Sequence, residues 1–369
     1  MKFFCQSTEL SDAVQKVSKA LPVKKQMPIL EGMKFVAAGD TLTILASDLE
    51  LSIQKTIKAD IKIEGEAVVS GRFIADFVKK LNDETVEINV NSNQMTIIYS
   101  DNKVVIQCLN VDEYPPINTL VDDAGFNIVG KELKSIIDNV IFCAATDDMR
   151  PIYKGCNIEA SDGQIIAVAL NGIRLGYNKR VKGVITSAPV KFISPSHSLN
   201  EVAKLIDTPD ENVGVVVQKN SVQFNIGSTT VISRLIEGNY IDYRKIVPTE
   251  FSVDVSVDKK HIEEAIERAM LILRDEKSDI IRLEIKENSI EITSQSELGN
   301  IKETITASVK GKELIIAFNA KYLLEILRNI DEEYIKMYFI NSTTPCVIKP
   351  IEGEEYLYLI LPMKVQANY

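Results

Sequence analysis

The chain has 369 residues, a formal net charge of −10, 45% hydrophobic and 25% charged residues. That is the composition of a globular protein long enough for more than one core, and no apolar run approaches the roughly 20 residues that span a bilayer. The acidic balance disfavours tight wrapping of nucleic acid by charge alone but leaves room for a local basic surface.

The N-terminal Met1-Lys2-Phe3-Phe4-Cys5 reads as a strand without the layout of a signal peptide. A helix opens at Ser7-Thr8-Glu9-Leu10-Ser11-Asp12-Ala13-Val14. Met27-Pro28-Ile29-Leu30-Glu31-Gly32 follows, then a run with Leu42, Ile44 and Ala46 on one face, the period-two pattern of a half-buried strand. A second helix, Phe73 to Leu81, leads into a hairpin in which Val86, Ile88 and Val90 turn at Asn91-Ser92-Asn93 into Met95, Ile97 and Tyr99. Glu113-Tyr114-Pro115-Pro116 closes the segment as a stiff connector.

The same order recurs. Gly130-Lys131-Glu132-Leu133-Lys134-Ser135-Ile136-Ile137 opens a helix, Arg150-Pro151-Ile152-Tyr153-Lys154-Gly155 precedes the alternating Ile166, Val168 and Leu170, and Leu199 to Ile206 is helical. Val213, Val215 and Val217 then turn at Lys219-Asn220 into Val222, Phe224 and Ile226, and Tyr240-Ile241-Asp242-Tyr243 with Pro248 ends the pass. A third pass opens at Asp258-Lys259-Lys260-His261-Ile262-Glu263-Glu264-Ala265. It continues through Ile281, Leu283 and Ile285, then Ile290 and Ile292, to a helix over Tyr322 to Ile330. Ile335, Met337 and Phe339 then turn through Asn341-Ser342-Thr343-Thr344-Pro345 into Val347.

Leu10, Leu133 and Ile262 are 123 and 129 residues apart, and Ile74, Leu199 and Leu323 are 125 and 124 apart. The repeat predicts three similar α+β domains, 1–121, 125–248 and 251–369, each with two helices packed on antiparallel sheets. Three like domains in a row favour a quasi-symmetric object over a single cleft between unlike lobes.

Catalytic chemistry is thinly provided. His197 and His261 both sit at predicted helix starts without a spaced partner, which suits surface or cap positions. No GxxxxGKS/T, GxGxxG, HExxH or GxSxG occurs. Asp147-Asp148 is a tight acidic pair, but a metal would want more oxygen ligands at loop spacing. Asp331-Glu332-Glu333 and Glu352, Glu354 and Glu355 read as exposed acidic turns. The cysteines at 5, 108, 143, 156 and 346 are scattered, odd in number and form no CxxC pair, which predicts reduced buried thiols and a cytoplasmic location. A binding protein with no catalytic residues, metal or cofactor is the expectation.

Lys16, Lys19, Lys79, Lys80, Lys131, Lys134, Lys204, Lys259, Lys260, Arg268, Lys321 and Arg328 fall in or beside the six predicted helices. They are either ordinary solvated helix faces or, if six such domains close a ring with helices inward, the lining of a hole that surrounds duplex DNA and touches phosphates weakly. The aromatic-interleaved basic patch of single-strand or RNA binders is missing.

Several stretches carry a resemblance over essentially the whole chain: Met27-Pro28-Ile29-Leu30, Ser47-Asp48-Leu49-Glu50, Glu113-Tyr114-Pro115, Arg150-Pro151-Ile152, Asn171-Gly172-Ile173-Arg174-Leu175, Glu237-Gly238, Asp242-Tyr243-Arg244, Phe318-Asn319 and Tyr358-Leu359-Ile360-Leu361-Pro362-Met363-Lys364. In order and spacing they resemble the bacterial DNA polymerase III beta subunits, the beta sliding clamps. The resemblance implies a head-to-tail homodimer of three-domain chains, a ring with helices lining the hole around double-stranded DNA. It implies as partners the replicative polymerase catalytic subunit, a clamp-loader ATPase and other proteins carrying clamp-binding peptides, with no membrane.

The resemblance also places sites. Val104 and Ile106 would meet Ile272 and Leu273 of a second copy, unless they serve their own cores. A partner-peptide pocket between the central and C-terminal domains would include Tyr153, Leu170, Gly172, Arg174, Leu175, Ile241, Lys245, Ile246, Asn319, Tyr322, Leu359, Ile360, Pro362 and Met363. Lys24, Lys25, Arg72 and Arg150 match basic positions near the DNA path. There are departures. Asn171-Gly172-Ile173 stands where the family usually has Thr or Ser, Asp and His, Tyr153 stands for Leu, Ile241 for Pro and Lys245 for Arg. Asp147 is acidic where the family tends to be neutral or basic, and Val365 to Tyr369 extend the chain. Three alternatives stay open: a diverged clamp paralogue with altered partners, a scaffold that never encircles DNA, and an enzyme whose site depends on His197, His261 or an acidic pair.

Overall fold

The computed structural model describes residues 1–23, 27–82, 84–117, 119, 124–186, 188–273 and 279–364. Lys24, Lys25 and the extension 365–369 lie outside them. Among the described residues six α-helices repeat in pairs: α1 (Ser7–Val17), α2 (Gly71–Val78), α3 (Gly130–Ile141), α4 (Ser196–Leu205), α5 (Lys259–Leu271) and α6 (Ala320–Arg328). Each follows a strand directly. Where a side chain caps them, the device is local: the Asp258 carboxylate accepts from the His261 N–H at 2.9 Å, and the Asn319 side-chain oxygen from the Tyr322 N–H at 3.0 Å. α1 buries Leu10, Ala13, Val14 and Val17, the three- and four-residue spacing of one helix face. α6 buries Leu323, Leu324, Ile326 and Leu327. Each of these leucine, isoleucine and valine side chains removed from water contributes about 1.5–3 kcal/mol.

The residues group into two compact units, 1–134 with 183–190 and 197–235, and 135–182 with 191–196 and 236–369. The first holds a fourteen-stranded sheet and the second a twelve-stranded one. In the first unit, Leu51–Lys58 pairs antiparallel with Thr229–Arg234, Val231 opposite Ile53. In the second, Arg174–Arg180 pairs antiparallel with Tyr356–Ile360, Leu175 opposite Leu359. The predicted segments are thus stitched by backbone ladders as well as by proline-stiffened connectors. The strand pattern that revealed each segment gives no signal of which edge strand meets which.

All five cysteines are free and buried, and burial pushes the thiols of Cys5 and Cys156 up to about 12. The histidines are exposed at helix starts. Asp148 pairs with Lys154 at 2.5 Å, and Asp147 accepts from the Met149 N–H. Among the described residues no cluster of three metal-ligating side chains forms, and no helix is long and apolar enough to cross a membrane.

Candidate functional site

The residues predicted to form the peptide pocket all lie in the second unit. Their frame is the hairpin Gln164–Leu170 and Arg174–Arg180, to which Tyr356–Ile360 adds a strand. The register sets Leu170 opposite Leu175, Leu175 opposite Leu359, and Leu359 opposite Val347. Opposed residues share a sheet face, so these four form one apolar row. Tyr153, Leu170, Leu175 and Leu359 meet in a single cluster with Ala145, Val168, Ile193, Tyr240 and Tyr243. Tyr153 stands edge-on to Tyr240, ring centroids 5.9 Å apart, which gives the bulkier ring a partner.

One residue along, the strands face the other way. Arg174 is opposite Ile360 and Ile360 opposite Cys346. Arg174 and Ile360 are buried on that face, opposite the leucine row. The Arg174 guanidinium lies between the rings of Phe142 and Tyr322, 5.1 and 4.5 Å from their centroids, and donates to the Glu325 carboxylate and the Phe142 carbonyl. Leu175 is buried too and supports the row from within.

The hairpin tip is open. Gly172 adopts φ +89 with empty space where a side chain would start. The Asn171 side-chain oxygen accepts from the Ile173 and Arg174 N–H groups, both at 3.0 Å, and so sets the turn. The C-terminal segment is strapped beside it. The Leu361 N–H donates to the Ile173 carbonyl and the Met363 N–H to the Ala317 carbonyl, both at 2.8 Å. Leu361, which the sequence reading passed over, is exposed between these tethers, and Pro362 and Met363 are half-buried. Asn319 and Tyr322 are half-buried at the start of α6.

The remaining predicted residues lie on the connector after residue 235. A short turn, Tyr243–Lys245, drives Tyr243 into the cluster. Ile241 and Ile246 stay 36% and 38% exposed, and the Lys245 side chain is 83% exposed with Asp242 at 3.5 Å. Glu159 pins the connector, receiving Arg244 at 2.8 Å and Lys191 at 3.0 Å. Burial raises the Glu159 pKa, but hydrogen bonds from Arg244, Lys191 and Asn157 outweigh it and hold the carboxyl below its ordinary value.

The basic and interface residues are more dispersed. Arg150 is exposed over the Tyr153 ring, and Arg72 donates to the Pro22 carbonyl at 3.3 Å. Eight of the twelve helix cations are paired with acids. Lys16 bridges Asp12 and Asp207 at 2.9 and 2.5 Å. Lys131 meets Asp210, Lys204 meets Glu201, Arg268 meets Glu303 and Arg328 meets Glu267, all at 2.6–2.9 Å. Lys19, Lys259 and Lys260 have acids at 3.2–3.9 Å. Among the described residues Lys79, Lys80, Lys134 and Lys321 are exposed without an ion pair. Val104 and Ile106 are half-buried on the strand Asn102–Leu109. Ile272 is half-buried just past α5, Leu273 is buried within its own chain, and Leu271 is the exposed member of that group.

Three family models match the chain end to end: the DNA polymerase III beta subunit N-terminal domain over residues 1–118, central domain over 127–242 and C-terminal domain over 244–364. The beta sliding clamp of Bacillus subtilis (strain 168) is 32% identical across 99% of this chain and 100% of its own length, and that of Halalkalibacterium halodurans is 32% identical across 95% and 96%. The crystal structure of the DNA polymerase sliding clamp from Bacillus subtilis superposes with a TM-score of 0.96 at 31% identity, covering 99% of this chain and 100% of that one. The DNA polymerase III beta subunit from Thermotoga maritima gives 0.93 at 28%, with the same coverage.

Proposed function

The chain belongs to the DNA polymerase III beta subunit family, the beta sliding clamps, and from that membership we propose how this DNA sliding clamp works. Two chains close head to tail around double-stranded DNA in the cytoplasm, a clamp-loader ATPase opens the ring, and the replicative polymerase and other partners dock by short peptides. The work is non-enzymatic. Retention is topological, so weak phosphate contact is enough and permits sliding.

The observation that carries the docking reading is the strapped C-terminal segment. Leu361 and Met363 are each tied by a backbone hydrogen bond, Leu361 to Ile173 beside the open Gly172 turn and Met363 to Ala317. The tethers present Leu361 and Met363 together with Ile241 and Ile246 as apolar anchors for a peptide's leucine and phenylalanine, while Asn319 and Lys245 offer polar contacts. Ring closure rests on the strand with Val104 and Ile106 meeting the Leu271–Ile272 region of a second copy.

The commitment of Arg174 to Glu325 favours a second reading, a clamp with altered partner preference, because that guanidinium has little left to offer a peptide backbone. Fluorescence anisotropy with labelled Gln-Leu-x-Leu-Phe tests both readings on wild type and on a chain ending at Leu361, with solution mass taken on the same samples. Micromolar binding to a dimer, about 8 kcal/mol, lost on truncation, is expected. A dimer that ignores the peptide selects the altered-partner reading, and a monomer that ignores it removes the clamp mechanism.

A further inference from the structure

A second site lies on the same sheet face, beyond the row that holds Leu175. The register pairs Tyr177 with Leu357 as it pairs Leu175 with Leu359. The two pairs therefore point to one side, about 7 Å apart along the strands. A cavity of about 300 Å³ is walled there by Ile166, Tyr177, Tyr243, Val247 and Leu357. None of the residues assigned to the peptide pocket from sequence lines it.

Its size is at the lower end of ligand sites, roughly 300–1,000 Å³, enough for one large side chain. The walls are apolar and aromatic, and the Tyr177 and Tyr243 rings, 5.6 Å apart, offer faces and edges to a third ring. The rim carries both signs. Arg244 is held by Glu159 and lies over the Tyr243 ring, 4.6 Å from its centroid. Lys349 lies over the rings of Phe251 and Tyr338 at 5.8 and 5.9 Å, and Glu354 is exposed. With Arg244 paired and one further charge of each sign, the rim favours neither an acid nor a base.

We infer that this cavity is a second anchor point for a partner polypeptide, taking one large uncharged side chain, aromatic or aliphatic. The inference rests on the reading that this clamp docks peptides, and it adds a site that reading does not contain. Two features support it. The cavity continues the sheet face of the proposed pocket, and a single connector serves both: Tyr243 and Val247 line the cavity, while Ile241, Lys245 and Ile246 remain exposed. A partner seated at Leu361 thus has a further apolar recess within reach.

The test is methyl NMR on the full chain labelled at isoleucine, leucine and valine, titrated with N-acetyl-L-phenylalaninamide. Gln-Leu-Ser-Leu-Phe is titrated in parallel. Saturable shifts of the Ile166, Val247 and Leu357 methyls are expected in the millimolar range, and they persist with the pentapeptide in excess. Thr249 is an exposed wall position, so Thr249→Trp closes the mouth without entering the core. It lowers probe affinity at least fivefold and leaves pentapeptide affinity and melting temperature unchanged, whereas Leu361→Ala weakens the pentapeptide alone. No saturable shift at the three methyls while the pentapeptide binds overturns the inference and leaves the docking reading standing. Displacement of the probe by the pentapeptide, or undiminished probe affinity in Thr249→Trp, also overturns it. Probe binding to a dimer that ignores the pentapeptide supports the inference and selects the altered-partner reading, whereas probe binding to a monomer that ignores it removes the docking reading and the inference with it.

Discussion

Arg174 and Glu325, 151 residues apart in the chain, form an ion pair in which the arginine side chain is 5% exposed and the glutamate 32%. The guanidinium also lies over two rings, and its Nε has no hydrogen-bond partner among the described residues. A charge so placed depends on its counter-ion. Removing one member of a buried pair costs about 3–5 kcal/mol, and the partial exposure of Glu325 puts Glu325→Gln near the lower end, about 3 kcal/mol. Arg174→Met with Glu325→Gln removes both charges and recovers most of that loss. Urea unfolding of the two variants checks this, and equal destabilisation would count against a coupled pair.

The C-terminal tethers predict a separation of binding from stability. Ending the chain at Leu361 removes the Met363 N–H bond to Ala317 and leaves the Leu361 bond to Ile173. One backbone hydrogen bond contributes about 1 kcal/mol net. The truncated chain therefore melts within a few degrees of wild type while losing the docking peptide. In the intact chain, hydrogen exchange at the Leu361 and Met363 amides is slow despite their position near the end.

Within the predicted pocket, mutations split by burial. Leu170, Leu175 and Leu359 are core, so alanine at any of them costs about 2–5 kcal/mol. A lost peptide signal there reports unfolding. Ile241 and Ile246 are exposed, and alanine there changes stability by about 0.5 kcal/mol or less. A tenfold or greater fall in peptide affinity for Ile246→Ala, with an unchanged melt, marks it as contact surface.

The threefold repeat was legible because each segment restates the same alternation and the same helix spacing, and the helix starts at Ser7, Gly130 and Lys259 follow from it. The sheet-to-sheet stitching was not, since nothing in Leu51–Lys58 names Thr229–Arg234 as its neighbour. At the candidate site, Tyr153, Leu170 and Leu175 meet Leu359, distant in the chain, in one buried cluster. Sequence alone does not tell which of two adjacent strand residues faces the leucine row, and Arg174 and Ile360 lie on the opposite face. Leu361 is absent from the predicted pocket residues; its exposure beside the tether to Ile173 is visible only in the fold. The pairing of helix cations needed three-dimensional neighbours: Asp207 is far from Lys16 in sequence yet 2.5 Å away.

Glu159 predicts an acid-sensitive connector. Its carboxyl is held below the ordinary value in the folded state, so its contribution to stability is present above the unfolded pKa of about 4.3 and is lost as pH falls through the folded value. Glu159→Gln removes this dependence. Between about pH 5 and pH 3 the wild-type melting temperature should fall more steeply than that of the variant, and parallel curves would remove the Glu159 role. Peptide affinity at neutral pH should also drop in the variant, because Arg244 and the exposed Ile246 share one short connector.

The helix cations predict weak, shallow salt dependence of DNA contact. If all twelve met phosphates, the slope of log K against log salt would approach −11 per chain, at about −0.9 for each phosphate neutralised. Eight already have acidic partners within 4.0 Å, which leaves Lys79, Lys80, Lys134 and Lys321 and a contribution of about −4 from the helix cations. Binding to short, open-ended duplexes should therefore be barely detectable near physiological salt, while rings loaded on closed circles stay associated. Substituting the four unpaired lysines with glutamine flattens the slope, whereas Lys16→Gln leaves it unchanged and lowers stability instead. A slope steeper than about −8 for wild type would mean that the ion pairs open on DNA, and the charge-balanced lining would then be the wrong picture.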